Sequence, residues 1–116
     1  MKEIYVALRK WFEKTFGPAR DPYVIMTKLR QEVIELDQAV DTYARWNNHT
    51  NRVAVQKEMA DIIILIINLS TNYGMCYDTF LDALRIKHSI NMKRKWVQMP
   101  DGTWKHLPDD LKIIDK

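Results

Sequence analysis

The chain has 116 residues, of which 47% are hydrophobic and 28% charged, with a formal net charge of +3 at pH 7. Such a chain can bury one core but not two, so a single domain spanning 1–116 is expected. Lys and Arg are spread along most of the sequence, which argues against a dedicated nucleic-acid surface, and the longest uncharged apolar stretch, Ile62 to Leu69, is too short to cross a bilayer.

In chain order, Ile4, Ala7, Leu8, Trp11, Phe12 and Phe16 recur at helical spacing until Gly17-Pro18 stops the pattern. Asp21-Pro22 is a helix start, an N-cap acid followed by proline at the first helical position. From it Ile25, Leu29, Val33, Leu36, Val40 and Tyr43 form an apolar stripe, and a second helix to Trp46 is predicted. "NNHTN", residues 47 to 51, reads as a turn. The run "DIIILIINL" resembles a buried parallel strand, but its pattern extends from Val55 to Gly74 without a breaker, far beyond the usual strand length of about 5 to 6 residues. A third helix over 53–73 is therefore predicted, with Gly74 as its C-cap. Asp78, or Thr79 with Asp82 three residues on, caps a fourth helix to about Trp96. "MPDGTW", residues 99 to 104, is a turn or short hairpin, and the last dozen residues read as a loosely held tail. The expectation is an all-α fold of four helices.

The charged residues carry the chemistry. Glu32 and Glu35 share a face of the second helix at one edge of its apolar stripe, with Lys28 in line with Glu32; Asp37 and Asp41 project toward water. Glu58 and Asp61 share a face of the third helix, and Asn68 and Asn72 fall close to the same line. An isolated Glu-x-x-Glu is usually a solvated face, yet acids embedded in so apolar a helix are costly without partners. Four carboxylates without equal numbers of bases call for a hard divalent cation, Mg²⁺ or Mn²⁺. On the fourth helix Phe80 and Leu84 begin an inward stripe that continues as Lys87, Asn91 and Arg94, a set suited to phosphate oxygens. Trp11, Phe12 and Trp46 are most simply core aromatics, although one beside the acidic face can stack a base. His49, His88 and His106 lack metal-ligand spacing, and the single cysteine, Cys76, reads as a small core thiol with no disulfide or metal role. With no apolar leader at its start, the chain is expected in the cytoplasm, away from membranes.

"KLRQEVIEL", "EMAD" and "KHSINMKR", with Glu32, Glu35, Glu58, Asp61, Lys87, Asn91 and Arg94, resemble the signature of the MazG-like all-α nucleoside triphosphate pyrophosphohydrolases. Gln31 stands where many members carry a third Glu. The resemblance implies a MazG-like helical bundle that forms homodimers or homotetramers. It also implies Mg²⁺ held by the four acids and attack of water at the α-phosphate of a nucleoside triphosphate, giving a monophosphate and pyrophosphate. Glu32 or Glu35 would be the base, and Lys28, Asn68, Trp11 and the Lys-Asn-Arg set would bind substrate. "WFEKTFGP", residues 11 to 18, with "KRKW", resembles a phage-associated branch acting on dATP and dGTP. The superfamily also contains dCTP, dUTP and phosphoribosyl-ATP hydrolases, which a nucleotide panel separates. A non-enzymatic helical adaptor using "KHSINMKRKW" would instead bind nucleic acid without turnover.

Overall fold

A computed structural model describes residues 1–17 and 21–108 of the chain, so Pro18 of the expected Gly17-Pro18 stop and all but the start of the expected tail lie outside the described residues. Its elements are α1 (Lys2–Phe16), α2 (Pro22–Arg45), α3 (His49–Ser70), a 3₁₀ turn (Thr71–Tyr73), α4 (Tyr77–Lys93), β1 (Trp96–Gln98) and β2 (Trp104–His106). The all-α expectation holds, with one small antiparallel sheet added by the hairpin. The chain divides into two compact units, Met1–Phe80 and a second beginning at Leu81. No helix of the described residues is long and apolar enough to cross a membrane.

In the first unit α2 starts where its sequence signal lies: the Asp21 carboxylate accepts the Tyr23 amide at 2.8 Å, with Pro22 at the first helical position. α3 begins inside the expected 47–51 turn. The Asn48 side chain caps it by accepting the Asn51 amide at 2.9 Å, and the Asn51 side chain returns a bond to the Trp46 carbonyl. Side chains that compete with the backbone in a turn also satisfy the free amides of a helix start, and here the second role prevails. At the other end α3 stops at Ser70, and the 3₁₀ turn leads to Gly74 at φ 69°, where glycine escapes the steric cost of a left-handed residue.

The short link between α2 and α3 lays the two helices along each other, and α1 packs against α3. Tyr5 and Phe12 of α1 and Ile67 of α3 form the core, with Leu8, Ile64, Tyr77 and Phe80 against them. The Tyr5 ring meets Tyr77 edge-on at 5.6 Å, and its hydroxyl lies 3.2 Å from Ser70 Oγ, so the polar end of this buried side chain is paired. Along α2 the covered stripe is Ile25, Leu29, Glu32, Leu36, Ala39 and Tyr43, whereas Val33 and Val40 are each 50% exposed. The expected stripe was thus displaced: Glu32 lies within it rather than at its edge.

At the start of α4 the Thr79 hydroxyl accepts the Cys76 amide at 2.8 Å, so Thr79 caps from the third helical position and Asp78 does not cap. Asp82 pairs with Arg85 instead. Cys76 is exposed at this cap rather than buried in a core. In the second unit α4 ends at Lys93, short of Trp96, because Trp96 begins β1 and donates its indole N–H to the Asn91 carbonyl. Trp96 pairs with His106 and Gln98 with Trp104, around a turn in which Asp101 accepts both the Thr103 amide and its hydroxyl. Lys105 and His106, expected as the start of a loosely held tail, are therefore strand residues, and Leu84, read as inward, is 56% exposed.

Candidate metal centre and nucleotide cleft

The pairing of α2 with α3 brings the two acidic pairs together. One oxygen from each of Glu32, Glu58 and Asp61 lies within 4.8 Å of the others. Glu35, one turn after Glu32 on α2, lies outside that converging group, although it was expected among the metal ligands. The Lys28 ammonium contacts Glu32 at 3.1 Å, one turn back on α2.

Four acids and one base in so small a volume leave an excess of negative charge, and the carboxyls respond unequally. Glu32 is held below the ordinary glutamate range, chiefly by its hydrogen bond to Lys28, with burial opposing. Glu35 is pushed upward, first by sharing a hydrogen bond with Glu32 and then by burial, and Glu58 is pushed upward first by burial and then by Glu32. Lys28 is raised in turn by its bond to Glu32. The second oxygens of Glu32 and Glu58 are buried and accept no hydrogen bond, a costly state for a carboxylate. An all-oxygen donor set with unused buried lone pairs fits a hard divalent cation, and Glu32, Glu58 and Asp61 are the residues that would hold it.

A cleft of about 660 Å³ opens beside the acids, lined by Lys28, Glu32 and Asp61 together with Trp11, Phe16 and Asn68. Trp11 is 52% exposed and meets the Phe16 ring edge-on at 5.4 Å. It is therefore a wall of the cleft rather than a core aromatic, while Phe12 beside it is core. Asn68 is 6% exposed, and its Oδ1 has no partner. Trp46 is exposed, as is Asn72. Sequence reasoning missed Phe16, Val24, Leu65 and Asp21 as cleft residues. Asp21 gave only a capping signal, and where the end of α1 lies against α3 has no local signature.

Lys87 and Asn91 share a face of α4 in the second unit, whereas Arg94, expected on the same helix, lies one residue past its end at Lys93. Arg94 donates to the Asn91 side chain at 3.4 Å, and its Nε is buried without a partner. Lys87 is exposed.

Fold and site together define a helical protein that gathers carboxylates at the rim of an aromatic-walled cleft. The chain belongs to the dATP/dGTP pyrophosphohydrolase family, whose profile matches residues 6–113. It is 28% identical over 109 residues to a dATP/dGTP diphosphohydrolase of Cyanophage S-2L, covering 91% of this chain and 87% of that protein. It is 31% identical over 99 residues to a dATP/dGTP diphosphohydrolase of Salmonella phage PMBT28, covering 85% of this chain but 29% of that longer protein. No solved structure matches the chain.

Proposed function

We propose that this chain is a Mg²⁺-dependent pyrophosphohydrolase of nucleoside triphosphates, dATP and dGTP foremost, yielding the monophosphate and pyrophosphate. The reading is carried by the convergence of Glu32, Glu58 and Asp61 within 4.8 Å at the rim of the Trp11 cleft. The purine lean is supported by the family and by the two phage proteins. Bound by these carboxylates, Mg²⁺, or Mn²⁺ in its place, would neutralise phosphate charge and polarise the phosphoryl oxygens.

The side chains supply the remaining chemistry. Glu35, beside Glu32 but outside the converging three, accepts a proton from water as the water oxygen bonds to the α-phosphorus. The bond from that phosphorus to the bridging oxygen breaks, and pyrophosphate departs with the electron pair. Lys28 fixes the Glu32 carboxylate and offers a positive charge at the mouth of the cleft. Trp11 stacks the base. Lys87, Asn91 and Arg94 are assigned to phosphate oxygens on their chemistry and order in the sequence, with Arg94 able to grip two oxygens at once.

The test is pyrophosphate release from the four NTPs and four dNTPs, with Mg²⁺ and with a chelator. Release from dATP and dGTP that requires the metal is expected; no release, or release indifferent to the chelator, overturns the reading. Val33 and Ile34 on α2 and Met59, Ile63 and Ile66 on α3 remain exposed, which supports a homodimer or homotetramer working in the cytoplasm. Light scattering that returned a monomer at micromolar concentration would refute the assembly.

A further inference from the structure

We propose that the cavity between α1 and the start of α4 is a second ligand site, one that takes a small molecule through its phosphate group. It shares no lining residue with the cleft at the acids, and the inference does not depend on the hydrolysis proposed there. The cavity measures about 320 Å³ and lies wholly within the first unit. Lys2, Arg9 and Lys10 of α1 line it, with Cys76 and Tyr77 where α4 begins.

The spacing of the three cations places them together. Arg9 and Lys10 follow Lys2 by seven and eight residues, two turns of helix, so all three stand on one face of α1 over roughly 10 Å of its length. Glu13 and Asp78 also line the cavity, yet among the described residues none of the three cations forms an ion pair. Arg9 is partly buried, and its Nε is buried without a hydrogen bond. A buried donor on a charged group is costly to leave unpaired, and an acceptor brought in from outside removes that cost. A guanidinium presents Nε and one Nη side by side, the fork that grips two oxygens of one phosphate.

The start of α4 adds a field of the same sign. Its first residue is Tyr77, and the amides of a first helical turn lack partners inside the helix and carry partial positive charge. Three cations and a helix start against two carboxylates leave the wall positive. The carboxylates in turn can accept hydrogen bonds from hydroxyl or amino groups elsewhere on the ligand. The volume lies at the lower end of the roughly 300–1,000 Å³ typical of small-molecule sites, which limits the ligand to a compact one. Orthophosphate, pyrophosphate and a nucleoside monophosphate share the chemistry required.

The single cysteine of the chain lines this cavity and serves as its probe. Cys76 is exposed, and the Thr79 amide and hydroxyl hold its thiol below the ordinary range, so it can be alkylated near neutral pH. The rate of alkylation by iodoacetamide, an uncharged reagent, is measured with chelator and at constant ionic strength against rising orthophosphate, pyrophosphate or dAMP. At least one of the three should slow the reaction saturably, and the lowest midpoint identifies the source of the phosphate. In Arg9→Leu that midpoint should rise about tenfold or more, the loss of one charge-assisted two-oxygen contact. Lys10→Gln, at an exposed position, should raise it by a smaller factor and replaces Arg9→Leu where the latter fails to fold. Alkylation indifferent to all three anions, or a midpoint unchanged in every variant that folds, would overturn the inference. Neither result touches the hydrolase reading, which metal-dependent pyrophosphate release tests on its own.

Discussion

Replacing Asn68 by Leu should make the metal-free protein more stable. The side chain is 6% exposed and Oδ1 has no hydrogen bond, so folding strips that oxygen of water and returns nothing. Leaving a buried polar group unpaired costs about 1 to 3 kcal/mol, and an apolar group of the same shape removes that cost. Leu has the same number of side-chain heavy atoms as Asn and lies next to Leu69 in sequence and one turn from Leu65 and Ile64, so it should pack without a cavity. For a domain near this size each kcal/mol moves the unfolding midpoint by roughly 4 °C, which puts the expected rise at about 4 to 12 °C. Thermal unfolding followed by circular dichroism, with chelator present and at fixed pH, measures it. A fall in midpoint would show that the amide oxygen is already satisfied in the folded protein, and the argument from an unpaired acceptor would fail.

Glu58→Gln and Asp61→Asn should each abolish Mg²⁺-dependent turnover and the rise in Tm that Mg²⁺ gives the wild type, while metal-free Tm stays level or rises because like charges are relieved; a sharp metal-free fall would mark them as structural. Arg94→Lys should lower catalytic efficiency substantially, since Lys supplies a point charge where Arg grips two oxygens, and wild-type kinetics would remove Arg94 from the reaction. The pH dependence of metal-free stability has a defined sign. Glu35 and Glu58, raised above the ordinary 4.5, bind protons more tightly folded than unfolded, so their ionisation removes stability as pH rises from 4.5 through their raised values. Glu32, held below 4.5, contributes stability above that pH which is lost as pH falls through its lowered value. This site therefore favours the fold most near pH 4.5, and Tm measured upward from there should decline without metal and decline less with saturating Mg²⁺; an equal slope in both would refute the shared-charge account.

How far the sequence exposed this architecture depended on the kind of signal. α1 and the start of α2 were legible because Gly17 and Asp21-Pro22 are local punctuation whose physics involves few neighbours. α3 was legible as a helix through length alone, since a continuous β-branched run carries no useful periodicity. Its N-terminus was misplaced because Asn48 and Asn51 serve a turn and a helix cap with the same atoms. The end of α4 was extended because nothing local to Lys93 forbids another turn; strand pairing between Trp96 and His106 stops it, and pairing is a non-local event.

The acids were legible because two Glu/Asp pairs at a spacing of three residues fix which helix faces they occupy, and the antiparallel packing of α2 on α3 turns those faces toward each other. Spacing could not show that Glu32 occupies the covered stripe itself, with Val33 displaced outward, because a shift of one residue rotates a helix face by about 100°. That displacement matters chemically. An acid at the edge of a stripe can shed its charge into water, whereas Glu32 inside it must be answered by Lys28 and by whatever the orphaned oxygens of Glu32 and Glu58 receive. One ammonium group cannot answer four carboxylates. The folded chain therefore retains buried carboxylate oxygens without a hydrogen-bond partner, and that cost is what argues for the proposed divalent cation.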